Sequence, residues 1–112
     1  MMDGAIMAES REAVRVFARA RLQLEARAAF LRAVPAFVAA TRAEPGCLAY
    51  DLLVSATDPL SVATVEHWAD RQAMLAHLDA PHTRNFMALI AASASQPPRV
   101  TMIQAGREER LI

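Results

Sequence analysis

Alternation dominates the first patterned part of the chain. Val14, Val16, Ala18, Ala20, Leu22 and Leu24 take every second position, with Arg15, Phe17, Arg19, Arg21 and Gln23 between them. That period of two predicts a β-strand. From Glu25 to Ala43 the spacing turns helical, and Phe30, Val34, Phe37, Val38 and Thr41 fall on one stripe. Pro35 lies inside the stripe and predicts a bend near Leu31. Glu44-Pro45-Gly46 stops the helix, because proline cannot continue it and glycine accepts positive φ. Cys47 to Ser55 reads as a second strand, with Leu48, Tyr50, Leu52 and Val54 on one face and Ala49, Asp51 and Leu53 on the other. Asp58-Pro59 marks a turn, and the β-branched run Ser61–Trp68 is a third strand. The connection is short enough for an antiparallel hairpin. Asp70 is placed to cap a helix over 71–78. Pro81 suits the first turn of a further helical piece reaching Ala94. Gln96-Pro97-Pro98 closes that piece, and Arg99–Gln104 forms a last short strand.

The order strand, helix, strand, strand, helix, strand predicts an α+β, ferredoxin-like βαββαβ domain with a four-stranded antiparallel sheet. Right-handed crossovers put both helical segments on one sheet face. The strands are nevertheless apolar on both faces: Ala49, Leu53, Ala63 and Val65 oppose Leu48, Tyr50, Leu52 and Val62. A sheet of that kind needs cover on both sides. A second copy packed sheet on sheet supplies it, so a homodimer through the sheet faces is expected. Residues 1–12 read as a lead-in, 13–105 as the domain and 106–112 as a charged tail.

A chain of 112 residues holds one domain. Its 12 basic and 12 acidic residues cancel, which argues against nucleic acid and against a polybasic membrane surface as partners. Every basic residue is arginine, so lysine Schiff-base chemistry is excluded. The lone cysteine, Cys47, forms neither an internal disulfide nor a cysteine-rich metal centre. No apolar stretch reaches the roughly 18 residues of a membrane span, and the first residues lack a secretory pattern. A cytoplasmic protein is expected.

Three segments carry a resemblance. Thr41-Arg-Ala-Glu-Pro-Gly-Cys-Leu-Ala-Tyr-Asp51, then Val65-Glu-His-Trp-Ala-Asp70, then Ala76-His77 with Pro81-His82, resemble the antibiotic biosynthesis monooxygenase family over about residues 13–104. The resemblance implies a dimeric α+β barrel. It also implies oxidation of a quinol, anthrone or similar phenolic aromatic by O₂, with no metal or organic cofactor. Such chemistry needs an apolar cavity, a proton acceptor and donors for an oxyanion. His77 and Glu66 are the candidate catalytic residues. His77 is the natural proton acceptor near neutrality, and Trp68, Tyr50, Phe86 and His82 are candidate substrate contacts. Each also has a structural reading: Trp68 as core, Tyr50 as a hairpin anchor, His82 as part of a helix start, and Glu66–His77 as a buried pair fixing helix to sheet. Arg19 and Arg21 read as surface or intersubunit groups and Cys47 as a packed residue. His67 faces away from Glu66 and Trp68, so the three histidines do not converge, and no metal is expected. Haem-degrading relatives place Asn and His where this chain has about Ala20 and Met87, which argues against haem breakdown. The alternatives are a non-catalytic dimeric module that binds a small apolar ligand, and a structural dimer without a cavity.

Overall fold

The strands and helices follow the sequence pattern closely. The computed structural model describes residues 12–104 and 109–112. The expected lead-in before Glu12 and the tail up to residue 108 lie outside the described residues. The elements are β1 (Val14–Arg21), a 3₁₀ turn (Leu24–Ala26), α1 (Arg27–Arg42), β2 (Cys47–Val54), β3 (Ser61–Trp68), α2 (Arg71–Asp79), α3 (Pro81–Ser93) and β4 (Arg99–Gln104). The strands form one sheet in the order β2-β3-β1-β4, every pair antiparallel. This is the ferredoxin-like βαββαβ arrangement, with its second helical segment divided at Ala80.

Two local departures, in β1 and β2, have physical causes, and Pro35 is accommodated inside its helix. The β1 alternation extends to Leu24 in sequence, but the strand ends at Arg21. Leu22 leaves it to bond Leu60 through its N–H and to bridge Ala94, and Leu24 is 73% exposed. Pro35 lies inside α1, which stays one element from Arg27 to Arg42. The proline is on the solvent side, where water can satisfy the carbonyl left without its partner. In β2 a register shift falls between Cys47 and Ala49, which pair with Trp68 and His67. Leu48 is the extra residue of this bulge and is exposed, so it does not share the Tyr50 face.

One sheet face meets the helices. Val14, Val16, Tyr50, Val62 and Trp68 project from it into a core completed by Phe30, Phe37, Val38, Met74 and Phe86. Phe37 and Phe86 stack with centroids 3.9 Å apart, joining α1 to α3. On the opposite face Phe17, Leu53 and Ile103 are 38%, 52% and 51% exposed. No helix among the described residues is long and apolar enough to cross a membrane.

Candidate functional site

β3 supplies the floor of the site. Its alternation turns Val62, Thr64, Glu66 and Trp68 toward the helices. The register sets Glu66 between Tyr50 on β2 and Val16 on β1. Above this floor lies a cavity of about 350 Å³, walled by Phe37 of α1, Met74 and His77 of α2, Phe86 and Ile90 of α3, and Met102 of β4. Its polar groups are few: Tyr50, Thr64, Glu66, Arg71, His77 and Thr83. A largely apolar cavity with a handful of converging polar groups is the usual form of a small-molecule site.

His77 and Glu66 both reach the cavity wall, but they do not bond each other. His77 Nδ1 lies 2.7 Å from Glu44 Oε2 and 3.2 Å from Thr83 Oγ1. Glu66 accepts from Thr64 Oγ1 at 2.7 Å and from Trp68 Nε1 at 3.0 Å. The expected Glu66–His77 pair is therefore replaced by two separate arrangements. Both Glu66 oxygens are occupied within the sheet, so the partner of His77 comes from the loop after α1. With Nδ1–H given to Glu44, the His77 ring carries its lone pair on Nε2.

Two expected substrate contacts, Tyr50 and Phe86, line the cavity. Trp68 is fully buried behind the wall. Its ring packs 4.7 Å from that of His77, centroid to centroid, so it supports the site from beneath. His82 stands outside this cavity and borders a neighbouring groove with Phe37, Asn85 and Phe86. Its Nε2 bonds the same Glu44 oxygen at 2.7 Å. His67 projects from the other sheet face, as the alternation indicates. Arg21 pairs with Asp58 at 3.0 Å.

Three contributors escaped the sequence reading. Glu44 reads there only as part of a helix stop. Phe37 reads as one of five residues in a stripe. Arg71 is the first residue of α2 and reaches the wall near Met102. The available signal was Gly46, whose position forces the Glu44 loop against α2.

Burial and the Glu66 carboxylate push the Tyr50 phenol far above its ordinary range. Tyr50 is therefore a neutral O–H donor at any physiological pH. Burial also raises the Cys47 thiol, with Glu44 adding to the shift. Among the described residues, Glu44, His77 and His82 form a set of donors suited to a metal, their ligand atoms all within 4.8 Å of one another. The expectation of no metal weighed the histidines alone and left out the carboxylate.

A ferredoxin-like chain with an apolar cavity between sheet and helices, and a carboxylate-held histidine at its wall, defines a class of α+β proteins with a candidate small-molecule site. Comparison with known proteins narrows the class. The family model described as antibiotic biosynthesis monooxygenase matches residues 13–89, and the chain belongs to that family. It is 34% identical over 90 residues to Rv0793 of Mycobacterium tuberculosis, named as a candidate monooxygenase, with 80% of this chain and 88% of that one aligned. The solved structure of Rv0793 superposes with a TM-score of 0.80 at 32% identity, covering 88% of this chain and 99% of the other. A crystal structure titled antibiotic biosynthesis monooxygenase gives 0.79 at 34% identity, covering 84% and 99%. A conserved protein of Methanosarcina mazei Go1 gives 0.82 at 19% identity over 88% and 97% of the two chains, a likeness of fold alone. Family and relatives together support a monooxygenase-type function.

Proposed function

We propose that the protein oxidises a quinol, anthrone or similar phenolic aromatic with O₂, using no metal or organic cofactor. The observation that carries this reading is His77 at the wall of an apolar cavity, with Nδ1 tied to Glu44 and Nε2 left to take a proton. For an anthrone-type carbon the balance is R₂CH₂ + O₂ → R₂C=O + H₂O. The C–H or O–H proton passes to His77 Nε2, and the resulting carbanion or phenolate gives one electron to O₂. The two radicals then combine to a peroxide anion, which takes the proton back from His77 Nε2 and loses water to leave the carbonyl. Tyr50 donates its O–H to the substrate oxyanion, and Arg71 adds positive charge at the wall. In this reading Glu66 acts by positioning, its carboxylate accepting from Thr64 and Trp68 and so holding Trp68 behind His77. Phe86 and Phe37 bound the ring-binding space. The cavity removes the ground for a structural dimer without one.

The unit in which this happens is a homodimer, joined through the sheet face that the helices leave uncovered. Support comes from Phe17, Leu53 and Ile103, which lie exposed on that face.

O₂ uptake with a panel of hydroquinones and anthrones tests the reading. His77→Gln should lower kcat on the best substrate by about 100-fold or more, the usual worth of a general base. Tyr50→Phe should cost about tenfold or more, as one lost oxyanion donor. Equal rates in parent and His77→Gln overturn the assignment. Saturable binding of the same aromatics without O₂ uptake favours a non-catalytic binding module.

A further inference from the structure

Glu44 receives hydrogen bonds from two imidazoles on one oxygen, and this places three good metal donors together. His77 Nδ1 and His82 Nε2 each stand 2.7 Å from Glu44 Oε2. All three ligand atoms lie within 4.8 Å of one another. The residues come from three separate elements: the loop after α1, the last turn of α2 and the first turn of α3. Nothing in local sequence requires them to meet.

We propose that Glu44 Oε2, His77 Nδ1 and His82 Nε2 form a three-ligand site for a divalent transition-metal ion such as Zn²⁺ or Co²⁺. Two imidazoles and one carboxylate suit this class, whereas Mg²⁺ and Ca²⁺ prefer all-oxygen shells. Ligand bonds of about 2.0–2.2 Å put tetrahedral donors roughly 3.3 Å apart. The three donor atoms, already within 4.8 Å of one another, close to that spacing around the ion. His82 is 30% exposed, against 3% for His77 and 13% for Glu44, so the ion arrives from the His82 side. Its remaining positions are left for water. Each neutral imidazole binds without net loss of a proton, because the N–H moves to the other ring nitrogen.

That shift has a consequence. With the ion on Nδ1, His77 carries its proton on Nε2 and cannot accept another from a substrate. Metal loading and the proposed proton abstraction therefore exclude each other, making the site an inhibitory one. This consequence rests on the oxygenase reading, but the binding itself does not, so it is tested without turnover.

The untagged, EDTA-treated full chain is titrated with Co²⁺ and Zn²⁺ by visible spectroscopy and calorimetry. One ion per chain is expected. His82→Ala and Glu44→Gln should each weaken binding by at least tenfold, since even outer-shell changes often cost that much. His67→Ala, on the opposite sheet face, should bind like the parent. His82 is partly exposed, so His82→Ala should keep the parent's far-ultraviolet circular dichroism. In the parent itself, Co²⁺ should broaden the ring signals of His77 and His82 and spare His67, which are the only histidines to resolve. No binding below millimolar Co²⁺ overturns the site. So does parent-like affinity in His82→Ala, or first broadening at His67.

Discussion

Gly46 shows how one residue sets the site. Its φ is +80°, and an added Cβ would stand 2.6 Å from the Ala73 Cβ of α2. The backbone conformation disfavours any side chain, and the close approach forbids one without movement. Gly46→Ala should therefore cost about 1–3 kcal/mol in denaturant unfolding, and it should loosen Glu44, two residues away, from His77. A midpoint equal to the parent's would contradict this. Tyr50 gives a second single-residue prediction. Its folded pKa is raised, so above about pH 10 the unfolded chain loses the phenolic proton and the native one keeps it. The Tyr50 contribution to stability is then constant below that pH and falls by about 1.4 kcal/mol per unit above it. Cys47 adds to the loss in the same direction from its own lower range. The chain has one tyrosine and no lysine, so few other groups obscure the effect. Phenolate absorbance rising near the ordinary tyrosine range in the folded protein would refute it. Tyr50 and Glu66 were legible in the sequence because alternation fixes a strand residue's face. Glu44 was not, because its partners lie 33 and 38 residues away across a loop.

At the scale of elements, uninterrupted alternation was the reliable signal. β3 occupies Ser61–Trp68, the bounds its sequence indicates, and β4 does the same over Arg99–Gln104. Misreadings fell where the chain changes partner. Leu22 leaves the sheet for Leu60, and Leu48 is displaced by a bulge that no composition signal marks. The stripe of α1 was also readable, but it does not say which residue meets a cavity. Phe37 does so because α3 sets Phe86 flat against it. α2 is only nine residues long and carries His77 near its end. Its start is fixed by Asp70 Oδ1, which accepts from Ala73 N–H at 2.8 Å. Asp70→Ala should cost about 1 kcal/mol as a lost N-cap. Because a shift of α2 carries His77 away from Glu44, the variant should also lower kcat in the O₂-uptake assay. Lost stability with an unchanged kcat would show that α2 holds its place without the cap.

At the scale of the molecule, the two sheet faces divide the work. The inner face carries the cavity, while the outer presents Phe17, Leu53 and Ile103 beside Arg19 and Asp51. Leu53 is 52% exposed in a single chain, where a polar substitution ordinarily changes stability by no more than about 0.5 kcal/mol. In a sheet-on-sheet dimer the same substitution buries an unpaired charge and costs several times as much. Leu53→Asp therefore separates the two states. The parent should sediment at twice the 12.2 kDa chain mass, and the variant at the mass of one chain or as aggregate. A parent of single-chain mass, or a Leu53→Asp variant that remains dimeric, would leave the outer face without its partner. The cavity lies wholly on the inner side, so a folded monomeric variant should still bind the aromatic panel. Loss of both dimer and binding would mean that the second copy also shapes the cavity from across the sheet.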